Sequence, residues 1–227
     1  MNLVWFRRDL RVKDNPALYE ACKANRGVIA IHIETPLSWA KHDMGNNQIS
    51  WLRQNLTSLE KDLAHLGIPL LRLQTDYFSE CPSMIASFVQ QNNIEGVYFN
   101  LEYEWNERRR DRLVNLALKK IAIAVYSFHE QCLFQPDKIF NKQGKAYTVF
   151  TPYKKACLAQ LALEPQLAFP LQTPKQQQLP SVQLKYDSES AAVSDLFYLS
   201  PGSQSAHQQL QQFVSSEIDN YKKRRDY

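Results

Sequence analysis

Between residues 3 and 128, short apolar runs alternate with stretches whose apolar positions recur every three or four residues. Strands that alternate with helices need crossover connections, and crossovers build a parallel sheet covered on both faces. Five strands are predicted, over 3–6, 28–33, 69–73, 96–100 and 123–128. The first intervening helix takes Pro16 in its first turn, where a missing N–H costs nothing, and is capped by Asp14 or Asn15. A long helix over 47–66 carries Ile49, Leu52, Leu56, Leu59, Leu63 and Leu66 on one face, and Gly67 stops it. Two more helices are predicted over 81–91 and 106–121. Right-handed crossovers favour strand order 3-2-1-4-5, a doubly wound, Rossmann-like α/β sheet.

After Phe128 the alternation ends. One further helix is predicted over 150–163, with Tyr153, Ala156, Cys157 and Leu161 on one face. Prolines 165, 170, 174, 180 and 201 then fall in a stretch with Gln176-Gln177-Gln178, which reads as a long irregular connector or a disordered tail. From 206 to 227, Leu210, Phe213, Val214, Ile218 and Tyr221 return to helical spacing. The expected organisation is an α/β domain over 1–164, a connector over 165–205 and a single helix over 206–227 whose apolar face wants a partner.

Composition excludes little. The 227 residues are 44% hydrophobic and 22% charged, with a net charge of +4 that permits an acidic partner without requiring one. The run Lys222-Lys223-Arg224-Arg225 is either a solvated helix end or a phosphate contact. Four widely spaced cysteines form no CxxC, so buried thiols are expected in place of zinc or disulfides. No apolar run is long enough to span a bilayer, and the first strand begins at Leu3. The expectation is a cytoplasmic monomer with no membrane association and no targeting leader.

Six glycines form neither GxGxxG nor GxxxxGK[ST], which argues against a standard dinucleotide or P-loop site. Chemistry is better sought at the switch point of the sheet, outside the carboxyl ends of strands one and four. Arg7-Arg8-Asp9 and the segment from Tyr103 to Glu107 would meet there. Asn106 reads as an N-cap with Glu107 in the first turn, and Glu104 is spaced to pair with Arg108. These features describe a charge-laced helix end. They equally describe a site in which an ionised Glu accepts from adjacent N–H donors of a pterin- or guanine-like ring.

Trp5-Phe6-Arg7-Arg8-Asp9-Leu10-Arg11 together with Tyr103-Glu104-Trp105-Asn106-Glu107-Arg108-Arg109-Arg110-Asp111 resembles the photolyase/cryptochrome family. Val149-Phe150-Thr151-Pro152-Tyr153-Lys154 is similar to a third family segment, and Tyr221 with Arg225-Asp226 to the start of the family's flavin domain. The likeness is strongest to bacterial folate-antenna enzymes that repair cyclobutane pyrimidine dimers. It implies an N-terminal antenna domain and a helical domain that binds FAD and extrudes the damaged bases of DNA. It implies that Asn106 and Glu107 contact 5,10-methenyltetrahydrofolate, that His42 and Met44 line the same antenna site, that Tyr221 contacts FAD and that Arg225 faces DNA. No catalytic residue is assigned. The family's flavin domain would lie beyond Tyr227, so the chain is expected to be the first half of such an enzyme and inactive alone. A cryptochrome photoreceptor, a deazaflavin antenna and a free-standing nucleotide-binding or interaction module remain alternatives.

Overall fold

The computed structural model describes residues 1–164, 168–174 and 200–225. Strands β1 (Asn2–Phe6), β2 (Val28–Glu34), β3 (Leu70–Gln74), β4 (Gly96–Asn100) and β5 (Ala124–Phe128) pair in parallel in the order β3-β2-β1-β4-β5. Helix α1 (Pro16–Lys23) follows β1, and α2 (Pro36–Lys41) and α3 (Asn46–Ala64) follow β2. Helix α4 (Cys81–Gln91) follows β3, and α5 (Trp105–Lys120) follows β4. The predicted order and all five strands are therefore present.

The central strand β1 is buried along its whole length, and its alternating side chains divide the core. Val4 and Phe6 pack with Ala17, Leu18, Leu56, Leu59 and Leu63 beneath α1 and α3. Leu3 and Trp5 pack with Ile85, Phe88, Val114 and Leu118 beneath α4 and α5. A sheet sandwiched in this way keeps only its carboxyl edge open for polar work. On the α1 side Asn15 caps the helix by accepting from the Leu18 N–H at 3.1 Å, so the cap falls on Asn15 and not Asp14.

Several expectations are corrected. The short helix α2 and a 3-10 turn over Phe78–Glu80 were not anticipated. Asn106 does not cap α5. The helix begins at Trp105, Glu104 is the extended capping residue, and its carbonyl accepts from the Arg108 N–H at 2.9 Å. The Glu104 carboxylate pairs with Arg8, not Arg108, because the loop after β1 brings that guanidinium alongside. Cys22 and Cys81 are buried thiols as expected, and burial pushes their pKa values to about 12 and about 11, but Cys132 is exposed.

Helix α6 (Phe150–Leu163) has the predicted bounds but buries no residue, leaving Phe150, Leu158 and Leu163 exposed. The connector falls largely outside the described residues. Within 168–174, the Phe169 carbonyl accepts from the Asp14 N–H at 3.2 Å, its own N–H donates to the Asp14 carboxylate at 3.0 Å, and its ring packs on Tyr19 with centroids 5.5 Å apart. The C-terminal segment is not one helix. Helix α7 (Ser203–Gln212) gives way to a π turn over Phe213–Glu217, a 3-10 turn over Ile218–Asn220 and α8 (Tyr221–Arg224). Ser215 and Ser216 both donate back to the Gln212 carbonyl, at 3.0 and 2.8 Å, which disturbs the helical ladder at that turn. The residues 226 and 227 at the end of the predicted helix lie outside the described set.

Candidate functional site

Two polar clusters sit at the carboxyl edge, one on each side of the switch between β1 and β4. Beside α1, Asn100 donates to Asp9 at 2.6 Å and to Asn15 at 2.8 Å, while its Oδ1 accepts from the Ala17 N–H at 3.1 Å. Asp9 also accepts from the Arg7 N–H at 2.9 Å. Each group satisfies another, and the gap over the first helix is closed.

Toward α5, three arginines meet four acids. Arg7 is buried, with its guanidinium carbon 4.6 Å from the ring centroids of both Trp5 and Phe99. It lies 3.5 Å from Asp111 and 3.8 Å from Glu102, and it also donates to the Asn100 carbonyl. Arg110 donates to Glu102 and Asp111, each at 2.7 Å, with Trp5 and Phe78 rings beside it. Burial lowers the Arg7 pKa despite attraction from Asp111. At Arg110 burial is outweighed by Asp111 and Glu102, which raise it. These two arginines clamp α5 to the sheet.

Arg8 differs from its neighbours, because it is largely exposed and reaches three glutamates. Its Nε lies 3.3 Å from Glu102 and its Nη2 donates to Glu107 at 3.0 Å, while Nη1 pairs with Glu104. Burial pulls its pKa down, and the three carboxylates more than reverse this, leaving it raised.

Beneath Glu107 opens a cavity of about 430 Å³ between α2, α3 and the carboxyl ends of β1 and β2. Arg7, Arg8, His32, Thr35, Trp39, His42, Met44, Gln48, Phe78 and Glu107 contribute to its wall. His32 and Thr35 are buried, and His32 Nε2 and Thr35 Oγ1 have no hydrogen-bond partner among the described residues. His32 Nδ1 lies 3.1 Å from the Phe6 carbonyl, so that nitrogen is assigned the proton and Nε2 is left as an acceptor. Burial lowers the His32 pKa to about 4, so the ring is neutral near pH 7. Glu107 and His32 Nε2 as acceptors, a Thr35 hydroxyl that can donate or accept, and aromatic walls suit a flat heterocycle that offers both donor and acceptor edges.

Sequence reasoning placed Glu107, His42 and Met44 in one site, and all three line this cavity. Asn106 stands at its rim in an adjoining pocket, with Nδ2 3.5 Å from His42 Nε2. Tyr221 and Arg225 are not part of it. Tyr221 is exposed and meets Phe213 edge-on at 5.8 Å, and the Arg225 N–H bonds the Tyr221 carbonyl at 2.9 Å. The floor residues His32 and Thr35 and the wall residues Trp39 and Phe78 were missed. A histidine inside an otherwise apolar, doubly buried strand was the available signal.

Residues 2–175 match a family model described as DNA photolyase. The deoxyribodipyrimidine photo-lyase of Buchnera aphidicola subsp. Baizongia pistaciae is 36% identical over 171 residues, covering 75% of this chain and 36% of that protein. The Salmonella typhimurium photo-lyase is 34% identical over 236 residues, covering 100% of this chain and 48% of that one. Among solved structures, a class III photolyase from Agrobacterium tumefaciens superposes with a TM-score of 0.77 at 26% identity, covering 100% of this chain and 47% of that one. The chain thus spans a third to a half of the length of these relatives.

Proposed function

The chain belongs to the DNA photolyase family, and from that premise we propose that it is the antenna-chromophore half of a deoxyribodipyrimidine photolyase. The parent enzyme uses light to reverse cyclobutane pyrimidine dimers in DNA. The observation that carries the assignment of this half is the cavity under Glu107 beyond the carboxyl ends of β1 and β2, where His32 Nε2 and Thr35 Oγ1 are buried without hydrogen-bond partners among the described residues. The ligand proposed there is 5,10-methenyltetrahydrofolate. Glu107 accepts from the amino and N–H edge of its pterin ring, Asn106 stands beside it, and His42 and Met44 line the approach. When bound, the folate supplies absorption of near-ultraviolet light for transfer to the flavin.

FAD, damaged DNA and a helical flavin domain are proposed as partners of the parent protein. Exposed apolar side chains on α6 and the C-terminal segment, Phe150, Leu158, Leu163, Leu210 and Tyr221 among them, support a surface that such a domain covers. Tyr221 is proposed as a flavin contact and Arg225 as a DNA-facing cation. The domain division at 164 and 205, the monomeric state and a cytoplasmic location belong to the same proposal. No helix among the described residues is long and apolar enough to cross a membrane.

Titration of the 227-residue chain with 5,10-methenyltetrahydrofolate, followed by absorbance, tests the reading. Saturable but weak binding that weakens about tenfold or more in Glu107→Gln is expected. The flavin domain is proposed to supply the other wall of this cleft, and tight stoichiometric binding by the chain alone would contradict that. Irradiation of the same chain with dimer-containing DNA is expected to split no dimers, and measurable splitting would contradict the assignment of catalysis to the flavin domain.

A further inference from the structure

Arg8 sits where an incoming ring would have to sit. Its Nη2 donates to Glu107 Oε1 at 3.0 Å, using the carboxylate that the reading above assigns to the pterin. The two partners are unequal in exposure. The Glu107 side chain is about 10% exposed and fixed on the first turn of α5, whereas that of Arg8 is 58% exposed. A guanidinium and the amino and N–H edge of a 2-amino-4-oxopteridine present the same chemistry, adjacent N–H donors in one plane, to a carboxylate.

Arg8 can release Glu107 without losing its anchorage. Its other nitrogens pair with Glu102, at 3.3 Å, and with Glu104. There is also space to receive it. Arg8 lines a second cavity of about 720 Å³ on its other side, bounded by Lys13, Trp51, Asn55 and the α7 residues Ala206 and His207.

We infer that Arg8 is a specificity-determining placeholder: it occupies Glu107 in the free protein and is displaced only by a ligand ring that carries its own paired N–H donors. This rests on the assignment of Glu107 as ring acceptor. Ligand binding is then an exchange of donors, and affinity is reduced by the fraction of molecules in which Arg8 holds Glu107. A partly exposed ion pair of this kind lowers it about threefold. A ring with a carbonyl in place of the 2-amino group cannot complete the exchange.

The test is a fluorescence titration of the full chain with pterin and with lumazine, which has a carbonyl in place of the amino group. Arg8→Gln is expected to tighten pterin about threefold and leave lumazine unchanged. Glu107→Gln is expected to weaken pterin about tenfold, and adding Arg8→Gln to it should change nothing further. In the unmodified chain, salt should loosen the Arg8–Glu107 pair and move the neutral pterin's affinity toward the Arg8→Gln value. That salt series needs no variant to fold. If Glu107→Gln weakens pterin but neither Arg8→Gln nor salt tightens it, the placeholder is overturned and the Glu107 assignment stands. If Glu107→Gln leaves pterin binding unchanged, or the chain binds no pterin, both are overturned.

Discussion

Two polar regions at the carboxyl edge of the sheet, one around Asn100 and one under Glu107, behave in opposite ways. Beside α1, Asp9, Asn15 and Asn100 exchange hydrogen bonds among themselves and with the Ala17 and Leu18 amides. Nothing there is left for a ligand. Beside α2 and α3, His32 Nε2 and Thr35 Oγ1 are buried without hydrogen-bond partners among the described residues, under a carboxylate paired with the exposed Arg8. An unmatched buried polar atom costs about 1–3 kcal/mol, so the second cluster is stable in proportion to what comes to fill it. The difference separates polar groups that build the fold from polar groups that await a ligand.

The largest expected effect belongs to the arginine clamp that holds α5 to the sheet. Arg110→Met leaves Glu102 and Asp111 short of a buried cation and should cost about 3–5 kcal/mol in chemical denaturation. A loss below about 1 kcal/mol would mean that Arg7 alone can serve both acids. Next is His32. Its folded pKa of about 4 lies below the ordinary 6.5, so between these values the unfolded chain binds more protons. Stability should therefore rise with pH from about 4 to about 6.5 by up to about 3 kcal/mol, and be fully present above that window. His32→Gln should flatten that slope in denaturation curves taken across the window.

Asn100→Ala opens the closed cluster and should cost about 2–3 kcal/mol, with little change in ligand affinity. The smallest effect is expected at Gly202. It has φ of +102°, and a Cβ there would strike Ser58 on α3. Gly202→Ala should detach the start of α7 at a cost of about 1 kcal/mol, seen as faster proteolysis near residue 200 with an unchanged sheet.

The sheet was legible because parallel strands buried on both faces read as nearly unbroken apolar runs, as Val28 to Ile33 does. Its order followed from right-handed crossovers. Helix α2 was not legible, since six residues with one buried tryptophan show no periodicity. The start of α5 was misplaced because cap preference favours Asn106, whereas the cap falls two residues earlier on Glu104, whose carboxylate pairs with Arg8 across the turn. The C-terminal break was signalled only by the Ser215-Ser216 pair, whose back-bonding competes with the helix ladder. At the site, Glu107, Asn106, His42 and Met44 were named through the family resemblance, and the structure places Glu107, His42 and Met44 around one cavity with Asn106 in the pocket beside it. Its floor came from β2 and the turn after it, whose polar residues acquire meaning only once the neighbouring strand ends are in place.

The most direct test of the account compares the two clusters in one ligand assay. Dissociation constants for 5,10-methenyltetrahydrofolate should be measured side by side for the unmodified chain, Glu107→Gln and Asn100→Ala, with folding checked by circular dichroism. The account predicts that Glu107→Gln weakens binding about tenfold or more while Asn100→Ala changes it less than about twofold. Equal losses in both variants, or a loss confined to Asn100→Ala, would contradict it.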